Sequence, residues 1–434
     1  MRSSRRSLLC HALGGILAAG ASRGLAADSR HPFLVGTGKA PITPPLEVGI
    51  LMSSGRRRWE PFQQVRLPIW ARAVHVSSGD QQVALVSVDL LGLADAAVGG
   101  MQRFMRQVAQ VAGGTLSPEQ IVLTATHTHS GPEALALTDL FETRPFQDWV
   151  ALLAKQIGLA IAQAAQAARP CRMLSVARSV PGLCVNRRVL TDKGVRNPLR
   201  IPPGETLLRP EGPVDDQVRM AAFVDSADRP AAILVNATAH PVYEMCIQQV
   251  SPDYPGEMCL ELERLRPGAG VMFFQGTAGN INPPEVSTGD GPARQHGQRL
   301  ARAVDEMLAD SRPTEAAGLA LVRETLALPC RDERGTPQDA PLQVQISALR
   351  VGQAAWVFLP GEPFVEIGLG ICRASPFPQT AVVGYSHAYV GYLPTDTAFA
   401  NKGYETGPGR WSRFLPGVET QVCDAALRLL GRLA

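Results

Sequence analysis

The chain has 434 residues, 45% of them hydrophobic and 19% charged, with a formal net charge of +3. That apolar content supplies a large core and excludes a disordered chain. A charge so near balance excludes a nucleic-acid-binding surface built on bulk positive charge, and the one basic run, Gly55–Trp59 (GRRRW), reads as a solvated loop.

Residues 1–27 combine a basic start, an apolar centre and small residues at Ala26-Ala27, which is the layout of a signal peptide. The Arg5-Arg6 pair gives it twin-arginine character. The expected location is therefore periplasmic or secreted, and residues 28–434 read as one catalytic-sized domain. No later run of about 18 apolar residues occurs, so no transmembrane span is expected. Of eight cysteines, Cys10 lies in the presumed leader. The other seven lack CxxC spacing, which argues against a zinc-finger-like cluster. An exported compartment permits disulfides, and the odd count leaves at least one thiol unpaired.

Strand-like runs follow at 83–92, 121–127, 231–240, 271–276, 354–362 and 380–393, with helical spacing at 146–168, 293–308 and 419–433. Apolar strands alternating with helices predict an α/β fold, a mixed β-sheet core flanked by helices in a single large domain. The segment 176–230, rich in Pro, Gly and Arg, reads as a long functional excursion. The run QGTAGNINPP (275–284) reads as a tight, backbone-rich turn, because it lacks the spacing of a phosphate-binding loop, and no GxSxG elbow occurs anywhere.

Several strand-like runs end in a side chain that can bind a metal or move a proton. IVLTATH ends at His127, AAILVNATAH at His240 and AAWVFLPGE at Glu362, while HAYVGYLPT carries Tyr389 and Tyr392. Functional groups collect beyond the carboxyl ends of strands in α/β sheets. In an extended segment His127 and His129 project to one face. The residues alone leave open whether they ligate a metal, act as a catalytic pair or are structural. Two histidines and a carboxylate are a common catalytic zinc set with a position left for water. A carboxylate such as Glu362, set among apolar residues, needs a cation or a donor beside it. Arg187, Tyr392 and Tyr404 could not be singled out on local grounds.

In this order, GTGKAPITPP (36–45), ATHTHSGP (125–132), VNRR (185–188), NATAHPV (236–242), SPDYPGE (251–257), AGNINPP (278–284), LPGEPF (359–364), AYVGYLPT (388–395) and GYE (403–405) resemble the motifs of the neutral/alkaline ceramidase family. The resemblance runs along almost the whole of 28–434. It implies one Zn²⁺ held by His127, His240, Glu362 and Tyr392, with His129, Arg187 and Tyr404 in the catalytic group. It also implies a zinc-dependent amide hydrolase that cleaves ceramide-like N-acyl lipids to fatty acid and sphingoid base. Such a substrate is compatible with transient contact at a membrane surface. Asn282 stands where the family carries a serine near the catalytic centre, and it is taken into the catalytic set in that serine's place. The family's immunoglobulin-like domain has no counterpart before Ala434, so the resemblance covers the catalytic part only.

Other readings are a zinc hydrolase of the same fold acting on another amide or ester, such as an N-acyl amino acid or a cell-wall fragment, and a non-catalytic periplasmic ligand-binding protein. A barrel-type metal amidohydrolase needs further His and Asp at later strand ends. Only His240, His296 and His387 follow here, and His296 lies within a helical pattern.

Overall fold

Alternation along the strands dictates the layering. In Gln81–Val88, Val83 and Leu85 point to one face and Ala84, Val86 and Val88 to the other, and all five are buried. A strand apolar at every position must be covered on both sides. The computed structural model describes residues 32–53, 57–314, 316 and 318–434. The presumed leader, 1–27, lies outside them.

Eight strands form the first sheet: β1 (Phe33–Pro41), β2 (Trp70–Ser78), β3 (Gln81–Val88), β4 (Ile121–Ala125), β5 (Arg169–Ser179), β6 (Gln217–Val224), β7 (Pro230–Ala237) and β8 (Gly270–Gln275). Their spatial order is β8-β7-β6-β5-β1-β2-β3-β4. The outer pairs β7–β8 and β3–β4 are parallel, and the inner pairs are antiparallel. A second sheet, β9 (Leu319–Leu328), β10 (Leu342–Val351), β11 (Ala354–Phe358) and β12 (Gln379–Val383), keeps chain order and closes on a parallel β11–β12 pair.

The two sheets stack through one apolar layer that includes Phe33, Val83, Phe223 and Phe274 from the first and Leu349, Trp356 and Phe358 from the second. The far side of the first sheet packs on α1 (Met101–Val111), α2 (Arg144–Gln166), α3 (Asp253–Leu265) and α4 (Asp290–Asp310). The far side of the second packs on α5 (Val365–Ala374) and, beyond the short α6 (Asp396–Asn401), on α7 (Val418–Gly431). The result is helix, sheet, sheet, helix in four layers.

The α/β expectation holds, with two stacked mixed sheets in place of one. The segment 176–230 is only in part an excursion: β5 runs to Ser179 and β6 occupies the interior of the first sheet. Residues between them form a small sheet of Val189–Thr191, Gly194–Arg196 and Leu207–Pro210. The high Pro, Gly and charge density upstream of β6 hides its buried MAAFV core. Among the described residues no helix is long and apolar enough to cross a membrane, and all seven cysteines are unpaired.

Phe358 is fully buried between the sheets, edge-on to Phe274 with ring centroids 6.1 Å apart. Phe358→Ala is expected to cost about 3–5 kcal/mol through lost transfer energy and an unfilled cavity. Urea unfolding should show this as a lowered midpoint at unchanged slope.

Candidate metal centre and its pocket

Strand ends deliver the key side chains. Beyond β4, His127 sits in the left-handed region at φ 68°, its backbone N–H donating to Leu90 O at 2.9 Å. A non-glycine residue held there stores local strain of the kind found at functional sites. Beyond β7, the His240 N–H donates to Ile281 O at 3.0 Å. Beyond β11, Glu362 pairs in parallel register with Tyr392. That pairing requires Gly361: its φ is +62°, and a Cβ there would lie 2.2 Å from Gly391 O. The 275–284 turn is built into the same corner, with Gly279 N–H donating to Pro363 O at 2.9 Å.

The side chains converge with their lone pairs inward. His127 Nδ1 lies 2.5 Å from Leu91 O and His240 Nδ1 3.0 Å from Ile281 O. A carbonyl only accepts, so each Nδ1 carries the proton and each Nε2 exposes a lone pair. Those two Nε2 atoms are 3.1 Å apart, and Glu362 Oε2 lies 3.3 Å from one and 3.2 Å from the other. Glu362 is buried, and Oε2 has no hydrogen-bond donor. Electron-rich atoms packed this closely without a proton between them repel unless a cation joins them. Zinc–ligand bonds of about 2.0–2.1 Å set neighbouring donors of a tetrahedral site about 3.4 Å apart, so the spacing fits one such ion.

The structure brings the other sequence-chosen residues to this point in different ways. His129 Nε2 is 3.4 Å from His127 Nε2, inside the same donor cluster. Burial and the neighbouring imidazoles hold its pKa well below the ordinary value, and burial with the Arg187 charge pulls His240 down to about 4. Arg187 bridges the site: Nη1 lies 3.2 Å from His240 Nε2, and Nη2 donates to the Tyr392 hydroxyl at 2.9 Å. Its Nε donates to Glu405 Oε1 at 3.0 Å, and Arg188 Nη1 donates to Glu405 Oε2 at 2.7 Å. Burial alone would raise the Glu405 pKa, but Arg187 and Arg188 hold it below the usual range. Tyr404 is half exposed and stacks on Trp411, with ring centroids 5.2 Å apart. Asn282 is buried, and its Oδ1 has no donor.

A cavity of about 410 Å³ opens on this cluster and is lined by His129, Arg187, Asn282, Tyr392 and Tyr404. Leu51, Met52, Val242, Met245 and Val286 supply apolar walls. A larger groove of about 1280 Å³ lies elsewhere, lined by Arg323, His387 and Tyr389. The smaller cavity is the one that reaches the histidines. His296 and His387 stand apart from the centre, the first bonded to Tyr243 and the second to Ser347.

Two contributors, Tyr385 and Glu405, were not singled out in the sequence, and Tyr389 was noted there without a role. Tyr389 donates its hydroxyl to Glu362 Oε1 at 2.8 Å, Tyr385 stacks on His127 at 4.0 Å, and Glu405 joins the two arginines. Tyr389 and Glu405 lie within the AYVGYLPT and GYE runs, so position was legible and role was not.

A buried polar cluster braces the His127–His129 loop from behind. Ser130 Oγ donates to Glu244 O, Thr128 Oγ1 to Ser251 O, and Arg66 forks onto the buried Glu244 carboxylate. Next to it, burial and then the Glu244 charge push Asp253 up to about 7. A carboxyl whose folded pKa exceeds its unfolded value favours folding at low pH, and that benefit is lost as pH rises from about 4 to 7. Relative to wild type, Asp253→Asn should therefore gain roughly 2–4 kcal/mol of stability between pH 4 and 7.5. Urea unfolding of both proteins at the two pH values measures this, and the constant cost of facing an amide to the Glu244 and Tyr254 N–H groups cancels in the difference.

No family model matches the sequence. A 122-residue segment is 28% identical to the neutral ceramidase of Mycobacterium tuberculosis (strain ATCC 25618 / H37Rv), covering 26% of this chain and only 18% of that protein. The crystal structure of neutral ceramidase from Pseudomonas aeruginosa matches with a TM-score of 0.71 at 20% identity, over 93% of this chain and 75% of that one. A ceramidase complexed with C2 matches at 0.73 and 18% identity, over 92% and 75%. The four-layer fold is that of the neutral ceramidase structures, as the ordered motifs implied.

Proposed function

We propose that this chain is a zinc-dependent amide hydrolase that adds water across the N-acyl bond of a ceramide-like lipid, releasing fatty acid and sphingoid base. The observation that carries the reading is the convergence of His127 Nε2, His240 Nε2 and Glu362 Oε2, three buried acceptors within 3.1–3.3 Å of one another. These three side chains, with Tyr392 beside them, would hold one Zn²⁺. When bound, the ion supplies Lewis-acid polarisation of the scissile carbonyl and a water of lowered pKa.

The chain's own groups do the rest. His129 faces the cavity as a free base, so its imidazole can take the proton of the attacking water and return it to the leaving amine. Arg187 is permanently charged and fixed by Glu405 and Tyr392, which makes it a preformed donor for the developing oxyanion. Tyr404 stands at the rim, where its hydroxyl can meet the substrate carbonyl. Asn282 Oδ1, buried and without a donor, offers an acceptor for a substrate N–H or O–H. The apolar walls suit an alkyl chain, and displacing water from them favours binding by about 25 cal/mol per Å².

Arg200 also lines the cavity, which favours a second reading: an N-acyl substrate with an acidic head, such as an N-acyl amino acid. Fatty acid released by zinc-loaded protein from ceramide, N-acyl amino acids and simple esters separates the two. Preference for ceramide supports the first reading, and release from N-acyl amino acids alone overturns it. Export through the 1–27 leader is part of the same proposal, and fractionating cells that express the full chain tests it.

A further inference from the structure

We propose that Tyr389 is a positioning residue that aims the metal-ligating oxygen of Glu362. This rests on the metal centre proposed above and goes beyond it, because Tyr389 lies outside the set of ligands and catalytic groups.

Glu362 has two oxygens, almost fully buried, and they meet opposite surroundings. Oε2 faces the two histidine Nε2 atoms and has no hydrogen-bond donor. Oε1 accepts the Tyr389 hydroxyl at 2.8 Å. A carboxylate rotates freely about its last torsion unless something distinguishes its oxygens. Here one O–H selects which oxygen turns to the histidines and draws charge from the other. With Oε1 occupied, Glu362 presents a single oxygen and leaves room at the centre for water.

Tyr389 is itself held firmly. Its backbone N–H donates to Leu93 O at 2.7 Å, and its ring packs beside Gly92, where an added Cβ would lie 3.5 Å away. Tyr389 also lines the larger groove and is not among the residues that line the smaller cavity. Tyr392, three residues on, has a different duty, because its hydroxyl accepts from Arg187. Partners that orient metal ligands typically change metal affinity 10–100-fold when removed.

The test uses the full chain, with Zn²⁺ affinity from chelator competition and the visible absorption of the Co²⁺-loaded protein. Tyr389→Phe removes one oxygen and keeps the ring. It is expected to weaken Zn²⁺ binding about 10–100-fold. It should also dim the Co²⁺ band, as Glu362 becomes free to bind through both oxygens and raise the coordination number. The metal-free variant should melt near the wild-type temperature. Tyr243→Phe, which removes a buried hydroxyl bonded to His296, should leave affinity and spectrum unchanged. In a Glu362→Ala background, Tyr389→Phe should cause no further loss, because its effect passes through that carboxylate. Wild-type affinity and spectrum in Tyr389→Phe would overturn the proposal and leave the metal centre standing. So would an equal loss in the Glu362→Ala background. A wild-type chain that binds neither metal would overturn the metal centre itself, and the Tyr389 assignment with it.

Discussion

His127→Ala is expected to abolish zinc binding and lower amide hydrolysis by about 10³-fold or more, because it deletes the donor that touches every other member of the cluster. His129→Ala is expected to behave differently. It should keep the metal and lose turnover by about 10²–10⁴-fold, the range for removing a general acid–base group. Zinc content and kcat of the two variants, measured side by side, give the answer. The contrast is informative because His129 Nε2 sits as close to His127 Nε2 as a fourth ligand would. The hydroxyl of Tyr392, in contrast, is engaged by Arg187. Loss of zinc in both variants would move His129 from the proton to the metal.

Glu405→Ala is expected to destabilise the fold by about 3–5 kcal/mol, the cost of breaking a buried ion pair from one side. Glu405 is almost fully buried and is the carboxylate shared by Arg187 and Arg188, themselves at most 9% exposed. Its removal leaves Arg188 with Glu211 and deprives Arg187 of its carboxylate. Thermal unfolding should show a clearly lowered midpoint, and catalysis should fall as well, since Arg187 loses the partner that fixes it. Glu405→Gln keeps hydrogen-bonding capacity and should recover part of the stability without restoring the charge. A Glu405→Ala protein as stable as wild type would mean that the arginines find other compensation.

Three of the proposed metal ligands, His127, His240 and Glu362, were legible in sequence because each lies just past an apolar strand and next to a turn residue, whereas Tyr392 came only with the family resemblance. His127 precedes the Ser-Gly-Pro turn, His240 precedes Pro241, and Glu362 follows Pro360-Gly361. The helices 146–168, 293–308 and 419–433 were legible within two or three residues because their apolar faces repeat over several turns. The stacking of two sheets was not, since a strand apolar on both faces looks the same whether helices or another sheet cover it. The strand β6 was hidden by the charged and proline-rich chain before it. The Arg187–Glu405 pair joins residues 218 apart in sequence, and the Tyr389–Glu362 contact joins residues 27 apart. No local pattern encodes either, because each depends on how the loops beyond the strands fold back on one another.

The central claim is that one zinc ion belongs among His127, His240 and Glu362. Anomalous scattering at the zinc edge from crystals of the purified full chain tests it directly, supported by metal analysis of the same protein. One zinc per chain is expected, with its peak bounded by His127 Nε2, His240 Nε2 and Glu362 Oε2, and a much weakened peak there in Glu362→Ala, which keeps the two histidines. Zinc bound elsewhere, or full ceramide hydrolysis by a chelator-treated chain shown to be metal-free, would contradict it.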